Sequence, residues 1–238
     1  HRREGNHGRR GTSALIAPWG RKDEGARRRR SARECHEVTA TVCGLHMTHA
    51  FTDAWAVDGS KGRIEVDGVW HTAVACGGWE GMTTPTAEGA NDGDERVAGG
   101  MHGARLPDCY EVVDAELHGI LMALTKVAAR EHAAARRCII LSDCQSALQM
   151  IEKAWQQGVE WTGEGAGRAP LLHAINATRG RIQLCVLVWN PAHRGNATSA
   201  YADAAAKAHL TAAPCDEASR WVLDNLPVGR HAITVATE

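Results

Sequence analysis

Residues 51–62 read FTDAWAVDGSKG, a mostly apolar run that leads into an acid, a glycine and a serine. The apolar pattern predicts a buried β-strand that ends at Asp58. A carboxylate at the end of a buried strand is costly unless it is paired or bound to a cation. The stretch also contains Asp53, at an odd spacing from Asp58. Because side chains alternate along a strand, we expect the two acids on opposite faces, with Asp53 capping the strand start or facing solvent.

The pattern outward from this stretch indicates both strands and helices. Two more strand-like segments follow, at 69–79 and 96–103, and a helical apolar stripe then runs over 111–130. The later segments predict a strand, two helices, a strand and a helix, at 138–142, 143–158, 170–179, 181–189 and 197–210. This order predicts an α/β fold with a mixed five-stranded sheet and helices on its faces.

Length and charge divide the chain into three parts. The 238 residues can bury a core as one domain with tails, and no apolar run approaches the roughly 18 residues of a membrane span. Residues 1–34 hold eleven Lys and Arg against four Asp and Glu, a charge of +7, which leaves −8 for the rest of a chain whose net charge is −1. We expect a basic, disordered arm over 1–49, a folded domain over 50–211 and an extension of unknown role over 212–238. Such an arm is most often a solvated tail and sometimes binds nucleic acid.

The cysteine pattern argues against a secreted protein. Eight cysteines are scattered without CxxC pairs, and no secretory segment precedes them, so we expect free thiols and an intracellular location, in nucleus or cytoplasm. Cys35, Cys43, His46 and His49 are zinc-type ligands, but their spacing matches no common zinc module. The alternative is a linker that leads into the fold.

Four acids lie where an apolar or small residue would pack better. Two of them end strands, one lies beside the apolar stripe of the long helix, and one lies in the small-residue helix YADAAAKA (201–208): Asp58, Asp143, Glu116 and Asp203. Burying carboxylates together costs several kcal/mol per unpaired ion, and divalent metal ions commonly offset this cost. Each acid taken alone could instead be a turn residue, a helix cap or a surface charge.

Four segments resemble, in order and on the expected elements, the acidic motifs of the type I ribonuclease H family. They are DGS at 58–60, AELHGILMAL at 115–124, SDCQSAL at 142–148 and ADAAAKA at 202–208. WNPAH (189–193) resembles that family's segment leading to a mobile histidine, and His193 precedes Asp203 by ten residues. The resemblance covers about residues 50–211 and is strongest to retroelement ribonuclease H domains.

This resemblance implies a ribonuclease H-like fold and endonucleolytic hydrolysis of the RNA strand of RNA–DNA hybrids. The implied metal ligands bind two Mg²⁺ ions, for which Mn²⁺ can substitute, and they are Asp58, Glu116, Asp143 and Asp203. The resemblance also implies that His193 helps to release the product or shuttles a proton. The implied partners are the hybrid and a reverse-transcriptase polyprotein, with no membrane partner, and the oligomeric state stays open.

The sequence departs from the family pattern in several places. Residues 198–200 stand where the family usually has Gly-Asn-Glu, residues 156–168 lack a basic protrusion, and insertions are expected around 62–68 and 80–95. Hybrid affinity is then expected from Lys61, Arg63, Arg194 or the basic arm. Two other functions remain open: a non-catalytic module that binds nucleic acid or supports a larger assembly, and a DNA-cutting relative such as a transposase or resolvase nuclease.

Overall fold

The structure, a computed structural model, describes residues 12–16, 50–81, 100–157, 168–190 and 197–212. These residues form a six-stranded sheet in the order β1-β6-β5-β2-β3-β4. The strands are β1 (Thr12–Ile16), β2 (Asp53–Val66), β3 (Val69–Gly81), β4 (Gly100–Leu106), β5 (Arg137–Ser142) and β6 (Leu184–Trp189). Strands β1, β6, β5 and β2 run parallel, whereas β3 is antiparallel to both of its neighbours.

Four helices accompany the sheet in the described part of the chain. They are α1 (Val112–Ala128), α2 (Gln145–Gln157), α3 (Ala169–Arg179) and α4 (Ala197–His209). The mixed sheet with helices on its faces confirms the predicted fold class. The sixth strand, β1, is an addition at the edge of the five that the sequence predicted.

The helices lie on two different faces of the sheet. Helices α1, α2 and α3 pack on one face, where their apolar side chains share a core with Trp55, Ile140 and Leu187. We call this the inner face. Helix α4 packs on the opposite, outer face, and a Cβ atom on Gly77 of β3 would lie 2.1 Å from the backbone nitrogen of Ala206. Glycine at position 77 is therefore what allows α4 to lie directly on the sheet.

Strand β2 continues well past Asp58, so the predicted end at Asp58 is wrong, and the stretch 62–68 forms the tip of a long hairpin. It runs to Val66 and turns through Asp67 and Gly68 into β3, which pairs with it along its whole length. Both turn residues have positive φ, +51° and +77°, the geometry of a hairpin turn that Asp-Gly favours. Hydrogen bonds to β3 satisfy the backbone N–H and C=O groups of β2 beyond Asp58, so the strand continues there.

Asp53 opens β2 as predicted, but it does not face solvent. Its side chain is buried and accepts hydrogen bonds from Thr52, Arg130 and Arg136. Arg130 also pairs with Glu80 of β3. The cost of burying Asp53 is thus offset by two guanidinium groups, neither of which was linked to it by sequence.

Two further boundaries differ from the predictions. The third strand of the predicted sheet is β4, and it spans Gly100–Leu106 instead of 96–103, because its residues pair with Val74–Glu80 of β3. Residues 12–16, predicted to be part of a disordered arm, form β1, so the prediction is wrong for these five residues. The rest of 1–49 and residues 213–238 lie outside the described residues. None of the described helices is long and apolar enough to cross a membrane.

Candidate active site

Three acids from three elements meet beyond the carboxyl end of β5. Asp143 directly follows β5, and Asp58 is the first residue of β2 beyond the β5 ladder, because that ladder ends with the pair Val57 and Ser142. Glu116 reaches the same place from α1. One carboxylate oxygen of each acid lies within 4.8 Å of the others, so the structure brings three of the four predicted acids into one cluster.

Gly59 brings α1 close enough for Glu116 to join this cluster. A Cβ atom at position 59 would lie 2.9 Å from the backbone nitrogen of Glu116 and 2.9 Å from the carbonyl oxygen of Val112. Contacts this short do not occur for a real side chain, so any larger residue would displace the start of the helix. The glycine after Asp58 is therefore a packing requirement of the site.

Burial and mutual repulsion raise the pKa values of the clustered acids. The pKa of Asp58 is raised to about 6, mainly by burial and then by the negative charges of Asp143 and Asp203. Glu116 is only 2% exposed, and burial, followed by the charges of Asp143 and Asp58, holds its pKa well above the ordinary value. A hydrogen bond joins the Asp58 and Glu116 side chains. Without a cation, burial and like charge therefore favour the protonated forms of both acids.

A small set of polar contacts fixes the Asp143 side of the cluster. The Ser142 hydroxyl donates a hydrogen bond to Glu116 across 3.3 Å and accepts one from the backbone N–H of Cys144 across 3.2 Å. The indole N–H of Trp189 donates to the carbonyl oxygen of Asp143 across 3.0 Å. The end of β6 thus holds the backbone of the acid that follows β5.

Asp203 lies on α4, outside the three-acid cluster. Lys207, one helical turn later, pairs with its carboxylate across 2.7 Å. The charge of Asp203 nevertheless contributes to the raised pKa of Asp58, which places it near the cluster. Ala202, Ala205 and Ala206 of the same helix are buried, so the small residues around Asp203 serve close packing.

The start of the WNPAH segment connects helix α4 to the sheet. Asn190 is buried, and its side-chain amide donates to the Ser199 hydroxyl across 2.5 Å. Ser199 is one of the positions where the family pattern is broken, yet it takes part in anchoring α4. His193, the Cys35–His49 candidates for zinc and Arg194 lie outside the described residues, and their roles remain predictions.

Sequence reasoning missed several residues that support the site. Ser142, Trp189 and Asn190 belong to quoted motifs, but only the fold shows that they orient the acids. The pairing of Asp203 with Lys207 could have been predicted from the sequence, because residues four apart on a helix are neighbours. The pair Asp67-Gly68 is typical of a two-residue hairpin turn, and it could have predicted that Asp58 lies inside a long hairpin.

The donor set of the cluster fits a hard divalent cation. The three side chains offer carboxylate oxygens, the ligands that Mg²⁺ and Mn²⁺ prefer. Burial and mutual repulsion disfavour the charged forms of these acids, and the hydrogen bond from Ser142 to Glu116 offsets only part of this cost. A cation bound there would offset the repulsion between the carboxylates, so the residues present fit such an ion.

Comparisons with known proteins support the fold. No protein-family model and no curated protein match the chain. Among solved structures, it is similar to LC9-RNase H1, a type 1 RNase H with the type 2 active-site motif, with a TM-score of 0.50 and 13% identity over 67% of this chain and 72% of that chain. This likeness shows a shared fold, and the chain therefore has a ribonuclease H-like fold.

Two other solved structures are similar at lower scores. The foamy viral protease-reverse transcriptase, solved in complex with double-stranded DNA, has a TM-score of 0.48 and 12% identity, covering 68% of this chain and 96% of that one. RNase H1 from the halophilic archaeon Halobacterium salinarum NRC-1 has a TM-score of 0.41 and 17% identity, covering 68% of this chain and 98% of that one.

Proposed function

We propose that the protein is an endonuclease that hydrolyses the RNA strand of RNA–DNA hybrids. The observation that carries this proposal is the convergence of Asp58, Glu116 and Asp143 within 4.8 Å on a ribonuclease H-like sheet. In the reaction, water attacks the phosphorus, and the bond to the 3′ oxygen of the preceding nucleotide breaks. The water proton passes to a base, and the leaving oxygen gains a proton.

The metal ligands in this proposal are the three clustered acids, with Asp203 near them on α4. Bound there, two Mg²⁺ ions, or Mn²⁺ in their place, would supply Lewis-acid polarisation of the phosphate and activation of water. A bound ion would favour the deprotonated forms of Asp58 and Glu116, whose pKa values are raised without it. Ser142 and Trp189 keep the cluster in place while this charge changes.

His193 is the proposed proton carrier. Histidine titrates near neutral pH and can deliver a proton to the leaving oxygen. Its place in the sequence, between β6 and α4, puts it on the connection that joins the Asp143 side of the cluster to the helix of Asp203. It holds no metal in this scheme.

The β2–β3 hairpin is the proposed support for the hybrid. The guanidinium of Arg63 lies 5.4 Å from the ring centroid of Trp70, whose side chain is 56% exposed. Both lie on the β2–β3 hairpin, whose first strand also carries Asp58. A planar cation on an exposed aromatic ring can contact phosphates and stack against bases or sugars. Lys61 is paired with Glu111 across 2.9 Å, so Arg63 is the stronger candidate.

The proposed origin is a reverse-transcriptase polyprotein of a retroelement. This part rests on sequence features alone, the WNPAH segment and the short, non-basic stretch 156–168. The proposed site of action is the nucleus or cytoplasm, where such hybrids occur.

A cleavage assay on three duplexes tests the function. Labelled RNA–DNA hybrid, double-stranded RNA and double-stranded DNA are each incubated with the protein in Mg²⁺, and we expect cleavage of the RNA strand of the hybrid only, since hybrid geometry and 2′-hydroxyls would be read together. Equal cleavage of double-stranded DNA would favour a transposase-type nuclease. Tight hybrid binding without cleavage in Mg²⁺ or Mn²⁺ would favour a non-catalytic module.

A further inference from the structure

Lys207 on α4 is paired with the fourth acid of the proposed metal site. Its ammonium nitrogen lies 2.7 Å from a carboxylate oxygen of Asp203, one helical turn earlier. Asp203 is also the one proposed metal ligand that lies outside the three-acid cluster. The four acids therefore differ, because three of them carry charges that repel one another, whereas the fourth has a cation of the protein beside it.

The packing of α4 places this ion pair next to Asp58. Asp58 pairs with Gly77 of β3 in the sheet. Gly77 lies directly beneath α4, because a Cβ atom there would be 2.1 Å from the backbone nitrogen of Ala206. Lys207 directly follows Ala206, and Asp203 lies one turn before it. The ion pair is thus on the part of α4 that crosses the two strands at Asp58.

The charges of the ion pair and of the cluster act on each other. The pKa of Lys207 is raised, first by its hydrogen bond to Asp203 and the charge of that acid, and further by the charge of Asp58. The pKa of Asp58 is raised by burial, then by the charge of Asp143 and then by that of Asp203. Lys207 therefore offsets a negative charge that adds to the repulsion at the cluster.

The exposure of the ion pair allows its two groups to separate. The Lys207 side chain is 59% exposed, and that of Asp203 is 29% exposed. Exposed ion pairs contribute little to stability, and lysine carries its charge at the end of a flexible four-carbon chain. The helix itself is held by buried alanines, such as Ala202 and Ala206. Lys207 can therefore turn toward solvent while α4 stays in place.

We propose that Lys207 is a counter-ion of Asp203 and has to move away before Asp203 can bind the second divalent cation. This inference rests on the proposed function, because it concerns the loading of the same site. With the lysine in place, the Asp203 carboxylate is already paired, and the ammonium group repels a second cation near Asp58. The three clustered acids then bind one ion first, and the second ion binds more weakly. Lys207 is thus a positioning residue that sets the metal requirement.

Binding of Mn²⁺ without nucleic acid tests this proposal independently of cleavage. The full chain is titrated at pH 8, above the pKa of about 6 of Asp58, and free Mn²⁺ is measured by electron paramagnetic resonance. We expect a tight and a weak site in the wild type. Lys207→Met should bind the second ion roughly five- to tenfold more tightly and leave the first unchanged. Lys207→Arg keeps a cation beside Asp203 and should behave like the wild type.

Two further variants show whether the effect depends on Asp203. Lys153→Met removes the same charge from an exposed position on α2 and should leave both affinities unchanged. The double variant Asp203→Asn with Lys207→Met should lose the second ion, because it lacks the carboxylate that the lysine pairs with. Circular dichroism of each variant shows that it is folded.

The outcomes distinguish a failure of this inference from a failure of the proposed function. An unchanged second affinity in Lys207→Met, or an equal gain in Lys207→Arg or Lys153→Met, would overturn the role of Lys207 and leave the metal site standing. Retention of a tightened second site in the double variant would also overturn it. A wild type that binds no Mn²⁺ would contradict the metal site of the proposed function, and this inference with it.

Discussion

The backbone nitrogen of Glu116 lies where a side chain on Gly59 would have to go, 2.9 Å from the position of its Cβ atom. Asp58 is held by β2 and Glu116 by α1, so the distance between these acids depends on how closely the helix approaches the strand. The absence of a side chain at position 59 sets that distance. The Asp-Gly pair thus links the sheet, the helix and the chemistry of the site.

Replacing Gly59 with alanine should separate the two acids. The added methyl group forces α1 away from β2, at a cost of about 1–3 kcal/mol in the free energy of unfolding, and weakens metal binding. We expect Gly59→Ala to need more Mg²⁺ for half-maximal hybrid cleavage and to lose most of its activity. The control is Gly62→Ala on the same strand, whose Cβ would lie 3.2 Å from the flexible end of Leu210. Equal Mg²⁺ requirements in the two variants would contradict the role of Gly59.

The raised pKa of Asp58 predicts a stability that depends on both pH and metal. Its pKa is about 6 in the fold against 3.8 ordinarily, so between these values the folded protein binds more protons than the unfolded chain. Stability without metal should therefore fall as pH rises through this window. Because Mg²⁺ binds the deprotonated acids, its increase in Tm should be small at pH 5 and large at pH 8, as measured by thermal unfolding.

The variant Asp58→Asn provides the comparison for this measurement. It removes one of the repelling charges, so the metal-free variant should be more stable than the wild type at pH 8, and its Tm should respond weakly to Mg²⁺. A Mg²⁺ response that is the same at pH 5 and pH 8 in the wild type would show that the acids do not exchange protons for the ion.

The proposed role of His193 predicts a defect in turnover only. His193→Ala should lower kcat by roughly 100-fold, the lower end for general acid–base catalysis, and leave KM and the Mg²⁺ requirement unchanged. Kinetics on a hybrid over a Mg²⁺ titration provide the measurement. An unchanged kcat would make His193 a bystander, and a lost Mg²⁺ response would make it a metal ligand.

The Arg63 and Trp70 pair predicts a defect in substrate binding. Removing the cation or the ring should cost about 1 kcal/mol of hybrid affinity, so Arg63→Ala and Trp70→Ala should each raise KM roughly fivefold with kcat unchanged. His71→Ala is the control, because His71 is exposed next to Trp70 on the hairpin and its side chain points to the other face. A KM that changes equally in all three variants would show a general effect of the hairpin.

Most of the fold could be predicted from the sequence because it depends on local patterns. Apolar alternation placed the strands, and the stripe over 111–130 placed α1, since these patterns reflect burial on one face. The end of β2 was misplaced because an acid inside a strand resembles a strand terminus. The pairing with β3 that keeps Asp58 within the strand is a nonlocal contact.

The candidate site was predictable as a set of acids but not as a geometry. The order of the motifs identified Asp58, Glu116 and Asp143, and the structure brings them together. The ion pairs of Asp53 with Arg130 and Arg136 join residues about eighty positions apart, so no sequence spacing could show them. Asp53 therefore cannot serve as a neutral control for the other acids, because its loss would remove an ion-pair partner that the partly exposed Arg130 and Arg136 share.

The rate of hybrid cleavage by Asp58→Asn and Asp143→Asn tests whether the clustered acids carry out the reaction. The control is Asp67→Asn, which changes an acid on the same hairpin to a residue that its turn accepts equally well. Initial rates on an RNA–DNA hybrid in Mg²⁺ are measured for all three variants, with thermal unfolding to show that each is folded. We expect no detectable RNA cleavage by Asp58→Asn or Asp143→Asn and a normal rate for Asp67→Asn. Near-normal, Mg²⁺-dependent cleavage by either of the first two variants would contradict this role of the acids.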